Sequence, residues 1–85
     1  MIREKVIIKD EKGLHMRPAK DVSKIAADYS SRVKILHKNC EYNAKSLIGL
    51  LGAGIKSGSE IEIVCDGVDE KEALAKVTEY FKRQL

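Results

Sequence analysis

Apolar positions recur along this chain with two periods, one near two residues and one near three and a half. Their alternation sets out the elements. Ile2, Glu4, Val6 and Ile8 alternate in character with Arg3, Lys5 and Lys9, which predicts a first strand, although Ile7 breaks the pattern. Asp10 to Gly13 carries turn residues and ends that strand. From about Met16 to Asp28 the apolar residues Ala19, Val22, Ile25 and Ala26, with Tyr29 beyond, fall at helical spacing. Pro18 is acceptable only near a helix start, where its missing N–H has no intrahelical partner, so the helix begins close to His15. Val33 and Ile35 suggest a second strand, His37-Lys38-Asn39 a tight turn and Cys40-Glu41-Tyr42 a short returning strand. Ser46 is placed to cap a short helix over Leu47 to Gly52, with Gly52 and Gly54 letting it stop. Ser57-Gly58-Ser59 is a further turn. Ile61, Ile63 and Cys65 alternate with Glu60, Glu62 and Asp66 as a half-buried strand. Asp69 with Glu72 three residues later resembles a capping box. Leu74, Val77 and Phe81 follow at helical spacing, and Lys82 and Arg83 suit the end of the helix dipole.

The order is strand, helix, strand, strand, helix, strand, helix. Short strands that can pair as hairpins, with few helices, predict an α+β fold of two layers: an antiparallel sheet with its helices on one face. The 85 residues fit a single domain, 1–85, without linker or repeat. Charged residues make up 34% and hydrophobic ones 44%, which excludes a disordered chain. No apolar run approaches the ~20 residues that span a bilayer, and the first residues do not resemble a signal peptide, so we expect no membrane insertion and a cytoplasmic location. In that compartment Cys40 and Cys65 are expected as reduced thiols. The net charge of +3 is mild and its lysines and arginines are scattered, which speaks against a nucleic-acid partner and favours an acidic protein partner.

Candidate chemistry concentrates at Gly13-Leu14-His15-Met16-Arg17-Pro18-Ala19. A histidine just before a helix lies beside unpaired backbone N–H groups, which with the helix dipole suit an anion. Arg17 adds a fixed charge and a fork of donors matched to phosphate oxygens. A neutral imidazole nitrogen is an available nucleophile at cellular pH. This set fits transient attachment of a phosphoryl group to nitrogen. On local chemistry alone, an exposed loop histidine beside an incidental arginine is the favoured reading of these residues.

The same stretch resembles the active-site signature of the histidine-containing phosphocarrier (HPr) family of the bacterial sugar phosphotransferase system. The resemblance continues through Asn43-Ala44-Lys45-Ser46-Leu47-Ile48-Gly49 and Gly54-Ile55, and takes in Gly58, Glu60-Ile61 and Asp69-Glu70. It implies an open-faced sandwich with four antiparallel strands in the order 1-4-2-3 beneath three helices. It implies a carrier, not an enzyme: His15 accepts a phosphoryl group from enzyme I and passes it to sugar-specific EIIA domains. Arg17 would steady the phosphoryl oxygens and the amide of Met16 and its neighbours would cap them. Ser46 would be a regulatory phosphorylation site, used by an HPr kinase/phosphorylase and read by a catabolite-control transcriptional regulator. Leu47, Ile48 and Leu51 would form a partner-binding patch, and the carrier would act as a monomer. Members that act only through the serine lack the histidine that this chain has at position 15. Met16 stands where the family usually has a small residue. Gly52-Ala53-Gly54 replaces a more usual serine-leucine-glycine run. Neither departure removes a group that the phosphoryl chemistry needs.

Other patterns carry less. Gly49 to Ser57 resembles a P-loop, but Ile55 separates Gly54 from Lys56, where that loop needs lysine directly after glycine. His37 and Cys40 make one pair at metal-ligand spacing where zinc sites commonly use two, and we expect neither metal nor cofactor, with His37 in an exposed turn. An RNA-binding sheet would carry exposed aromatics, and Tyr42 is the single aromatic on a predicted strand.

Overall fold

The computed structural model describes residues 1–84. Its elements are β1 (Ile2–Ile7), α1 (Met16–Ala27), β2 (Arg32–His37), β3 (Cys40–Asn43), α2 (Leu47–Gly52), β4 (Glu60–Asp66) and α3 (Glu70–Gln84). The strands form one sheet in the order β1-β4-β2-β3, and every neighbouring pair is antiparallel. This is the order expected from the family resemblance. In β4, Ile61, Ile63 and Cys65 point to one face and pair in register with Val6, Glu4 and Ile2 on one side. On its other side Ile63 and Cys65 face Ile35 and Val33.

That inner face carries the core. Ile8, Val33, Ile35, Ile61, Ile63 and Cys65 pack with Ala19, Val22 and Ala26 of α1, Leu50 of α2, and Ala73, Val77 and Phe81 of α3. Each large apolar side chain so buried contributes about 1.5–3 kcal/mol. Ile7 breaks the alternation in character but not in geometry: it is half exposed on the outer face, while Ile8 is fully buried. Val64 is also buried on the outer face, where Arg3 and Lys34 flank it in register, and the apolar stems of such residues can cover a neighbour. Among the described residues no helix is long and apolar enough to cross a membrane.

Two expectations need correction. His37 is not in an exposed turn. It is the last residue of β2, 8% exposed, because it continues the inward series Val33, Ile35, His37. The turn itself is Lys38-Asn39, and both residues have left-handed φ, +50° and +65°, as a tight type I′ hairpin requires. Among the described residues the capping box from Asp69 to Glu72 does not form. The Asp69 carboxylate accepts instead from the backbone N–H of Ser30 and of Ser31, each at 2.9 Å, and from the Ser31 hydroxyl. It thereby ties the loop after α1 to the start of α3. Among the described residues, the carboxylate that turns back at this end is Glu70, which accepts from the Gly67 N–H at 3.1 Å.

One further contact positions the loop before α1. The Leu14 N–H donates to the Ile55 carbonyl at 2.9 Å, and both side chains are buried. Gly13, at φ +65°, lies flat against this strap: a Cβ there would sit 2.4 Å from the Ile55 oxygen and 2.8 Å from the Lys56 Cα. The residue before His15 is thus pinned to the segment that follows α2.

Candidate phosphoryl site

His15 is the N-cap of α1, with extended backbone at φ −89° and ψ −170°. Its carbonyl accepts the first helical bond, from the Ala19 N–H at 3.0 Å, and its ring makes no cap hydrogen bond. Met16, Arg17 and Pro18 are therefore the first three helical residues. Pro18 brings no N–H. The amides of His15, Met16 and Arg17 have no backbone partner among the described residues. Three donors at the positive end of a helix dipole are thus left unspent beside a half-buried imidazole.

The ring lines a shallow, open depression with Lys9, Asp10, Glu11 and Lys12. The turn that makes this depression is fixed by Asp10. Its side chain accepts from the Lys12 N–H at 2.8 Å and its carbonyl from the Gly13 N–H at 2.9 Å. Lys9 and Lys12 add cations that sequence reading passed over. Their signal was local, since both lie within six residues of His15.

Arg17 is exposed and makes no ion pair among the described residues. One helical turn on, Asp21 accepts from the Tyr80 hydroxyl of α3 at 2.8 Å. Burial pushes the Tyr80 phenol up to about 12. The Asp21 hydrogen bond and charge add to the rise, the Arg17 charge opposes it, and Asp10 raises it further. The charges of Arg17 and Asp10 therefore both reach Tyr80, and Tyr80 remains a donor at neutral pH. No spacing pattern announces the Asp21–Tyr80 pair, which joins residues 59 apart in the chain.

Ser46 caps α2. Its Oγ accepts from the Gly49 N–H at 3.0 Å and its carbonyl from the Leu50 N–H at 3.0 Å. Behind it, the Asn43 side chain accepts from the Lys45 N–H at 2.9 Å, and Lys45 Nζ donates to the Tyr29 carbonyl at 2.7 Å. Ser46 lies at the opposite end of α2 from the strap at Ile55. A helix of six residues is about 9 Å long, so the serine and histidine positions are separate points on one structure rather than one cluster. On α2, Leu47 and Leu51 are half-buried against the core, while Ile48 is 83% exposed. Met16 is exposed too, so a large apolar side chain projects beside His15. The two helices that carry these side chains, α1 and α2, pack against each other.

Residues 2–83 match the family described as "PTS HPr component phosphorylation site". The chain is 38% identical over 78 residues to the phosphocarrier protein HPr of Mycoplasma genitalium, covering 91% of this chain and 89% of that protein. It is 32% identical over 85 residues to the HPr-like protein Crh of Bacillus subtilis, covering all of both. Its structure is similar to the crystal structure of HPr-C-His from Thermoanaerobacter tengcongensis, with a TM-score of 0.92 and 30% identity over 96% of this chain and 92% of that one. A match over nearly the whole length, in sequence and in strand order alike, accounts for the histidine at a helix start: the chain belongs to the HPr family of phosphocarrier proteins of the phosphotransferase system.

Proposed function

We propose that residues 1–85, acting as one monomeric cytoplasmic domain, carry a phosphoryl group on His15 from enzyme I to EIIA domains. The observation that carries this reading is the set of three backbone amides, His15, Met16 and Arg17, left without backbone partners among the described residues at the helix start. In the transfer, a lone pair on a neutral ring nitrogen attacks phosphorus as the bond to the donor breaks. The three phosphoryl oxygens then meet amides already in place, together with the positive end of the dipole. Arg17, Lys9 and Lys12 supply compensating charge. The open depression leaves the ring accessible to a donor and then to an acceptor, as a carrier requires. Incubation with enzyme I and phosphoenolpyruvate, read by intact mass, should add one acid-labile phosphoryl group to the wild-type protein and none to His15→Ala. Failure of the wild-type protein to gain the group from a competent enzyme I would overturn the reading.

Ser46 serves as a regulatory site in this proposal, and Leu47, Ile48 and Leu51 as the partner patch. A phosphate at the cap of α2 would place negative charge next to exposed Ile48 and weaken docking there. Similarity to Crh over the full length favours a second reading, a regulatory paralogue that acts mainly through Ser46. The presence of His15 in a prepared helix start favours the carrier, and the enzyme I experiment separates the two.

A further inference from the structure

We propose that Asp21, held by the Tyr80 hydroxyl, is a positioning residue that competes with the phosphoryl group on His15 for Arg17. The proposal rests on the reading of His15 as the acceptor. Arg17 and Asp21 are four apart on α1, and residues at that spacing lie side by side on one helix face. The Asp21 carboxylate does not face water alone: Oδ2 accepts from Tyr80 at 2.8 Å, and the Tyr80 ring is set by edge-on packing against Phe81. The anion is therefore fixed in place while Arg17 is exposed and makes no ion pair among the described residues. The reach of the Arg17 charge to the Tyr80 phenol agrees with this placement. In the unphosphorylated protein Asp21 is the anion on Arg17's own helix face. Phosphorylation puts a stronger anion at the helix start, two residues away. Arg17, which forms no described ion pair with Asp21, then lies between two anions, and the pull of the Asp21 charge sets how tightly the phosphoryl group is kept. A carrier must release its cargo, so a rival anchor suits it.

The two members of the pair act with opposite sign. Asp21→Asn removes the rival charge and commits Arg17 to the phosphoryl group. Tyr80→Phe keeps the ring but frees the Asp21 oxygen that the hydroxyl occupies, which strengthens the rival. The measurement is the equilibrium ratio of phosphorylated to free protein against enzyme I and phosphoenolpyruvate, by phosphorus NMR, for each variant alone and in an Arg17→Ala background. Asp21→Asn should raise the ratio about two- to fivefold, the range of an exposed ion pair. Tyr80→Phe should lower it by up to about threefold. Both shifts should vanish in Arg17→Ala, which an effect on helix packing would not do. Shifts of the same sign, shifts that persist without Arg17, or no shift at all would overturn the proposal while leaving His15 as acceptor. A wild-type protein that takes no phosphoryl group would overturn the reading of His15, and this proposal with it.

Discussion

At the scale of single residues, the site depends on what its backbone leaves free or occupied. Ser46 spends its hydroxyl on the Gly49 N–H, so Ser46→Ala should lower stability by about 1 kcal/mol in urea unfolding. Ser46→Asp should stay within about 0.5 kcal/mol of wild type, because aspartate caps as well as serine. It should still weaken the association with enzyme I, measured by titration calorimetry; unchanged affinity would detach Ser46 from the docking patch. Such single-residue features were legible in the sequence where they are local. A serine before an apolar run, a proline near a helix start and an arginine two residues from a histidine are all readable by spacing. His37 was misread because a histidine beside Lys-Asn resembles turn chemistry, yet the two-residue period of Val33 and Ile35 already placed it inward. Asp21 with Tyr80, and Asp69 with Ser31, were not legible. Each joins distant residues whose meeting depends on how α3 lies on the sheet.

At the scale of elements, the strands and helices other than β3 followed from periodicity because one face of each is buried, and burial is what periodicity records; β3 buries none of its four residues and was marked by the turn before it. Element ends were less legible, since an acidic residue near a helix start can serve its own helix or a neighbouring loop. Asp69 serves the loop. The β2–β3 hairpin offers a test of local turn chemistry. Lys38 carries the first left-handed position, where a side chain costs about 1–2 kcal/mol. Replacing Lys38-Asn39 by Asn-Gly, the residues favoured in this turn, should raise stability by about 1 kcal/mol by urea unfolding, with phosphorylation unchanged. A loss of stability would mean the turn is held by something other than its backbone geometry. The strap between Gly13 and Ile55 is the more consequential junction. Gly13→Ala must push the loop off the Ile55 carbonyl, and should cost about 2–3 kcal/mol from left-handed strain and lost packing. Because the displaced loop carries His15, the phosphorylation rate should fall with it, measured below the unfolding transition.

At the scale of the whole molecule, stability should form a plateau in pH bounded by different groups on each side. On the acid side stand Asp69 and Glu70. The Ser31 hydroxyl, then the Ser30 and Ser31 amides, hold the Asp69 carboxyl below its ordinary range. The Gly67 N–H, then the amino group of Met1, do the same for Glu70. A depressed carboxyl binds protons less readily folded than unfolded. Its contribution is therefore present above the ordinary carboxylate range and lost as pH falls below that range and through the depressed folded pKa. On the alkaline side stand Cys65 and Tyr80. Burial, with the charges of Glu70 and Asp69, raises the Cys65 thiol to about 11, and Tyr80 lies at about 12. Both hold their protons more tightly folded than unfolded, so their contribution is intact below about 9 and is lost as pH rises from there to about 12. Asp69 and Glu70 raise the Cys65 thiol as well as bounding the acid limb, so the start of α3 influences both ends of the plateau. Urea midpoints measured from pH 2 to pH 11 separate these parts. Asp69→Asn should lower the plateau and flatten its acid limb, while Tyr80→Phe leaves the acid limb unchanged and makes the alkaline loss shallower. An acid limb unaltered by Asp69→Asn would place the acid sensitivity in other carboxylates, and the tie from α3 to the Ser30–Ser31 loop would then not be what acid releases.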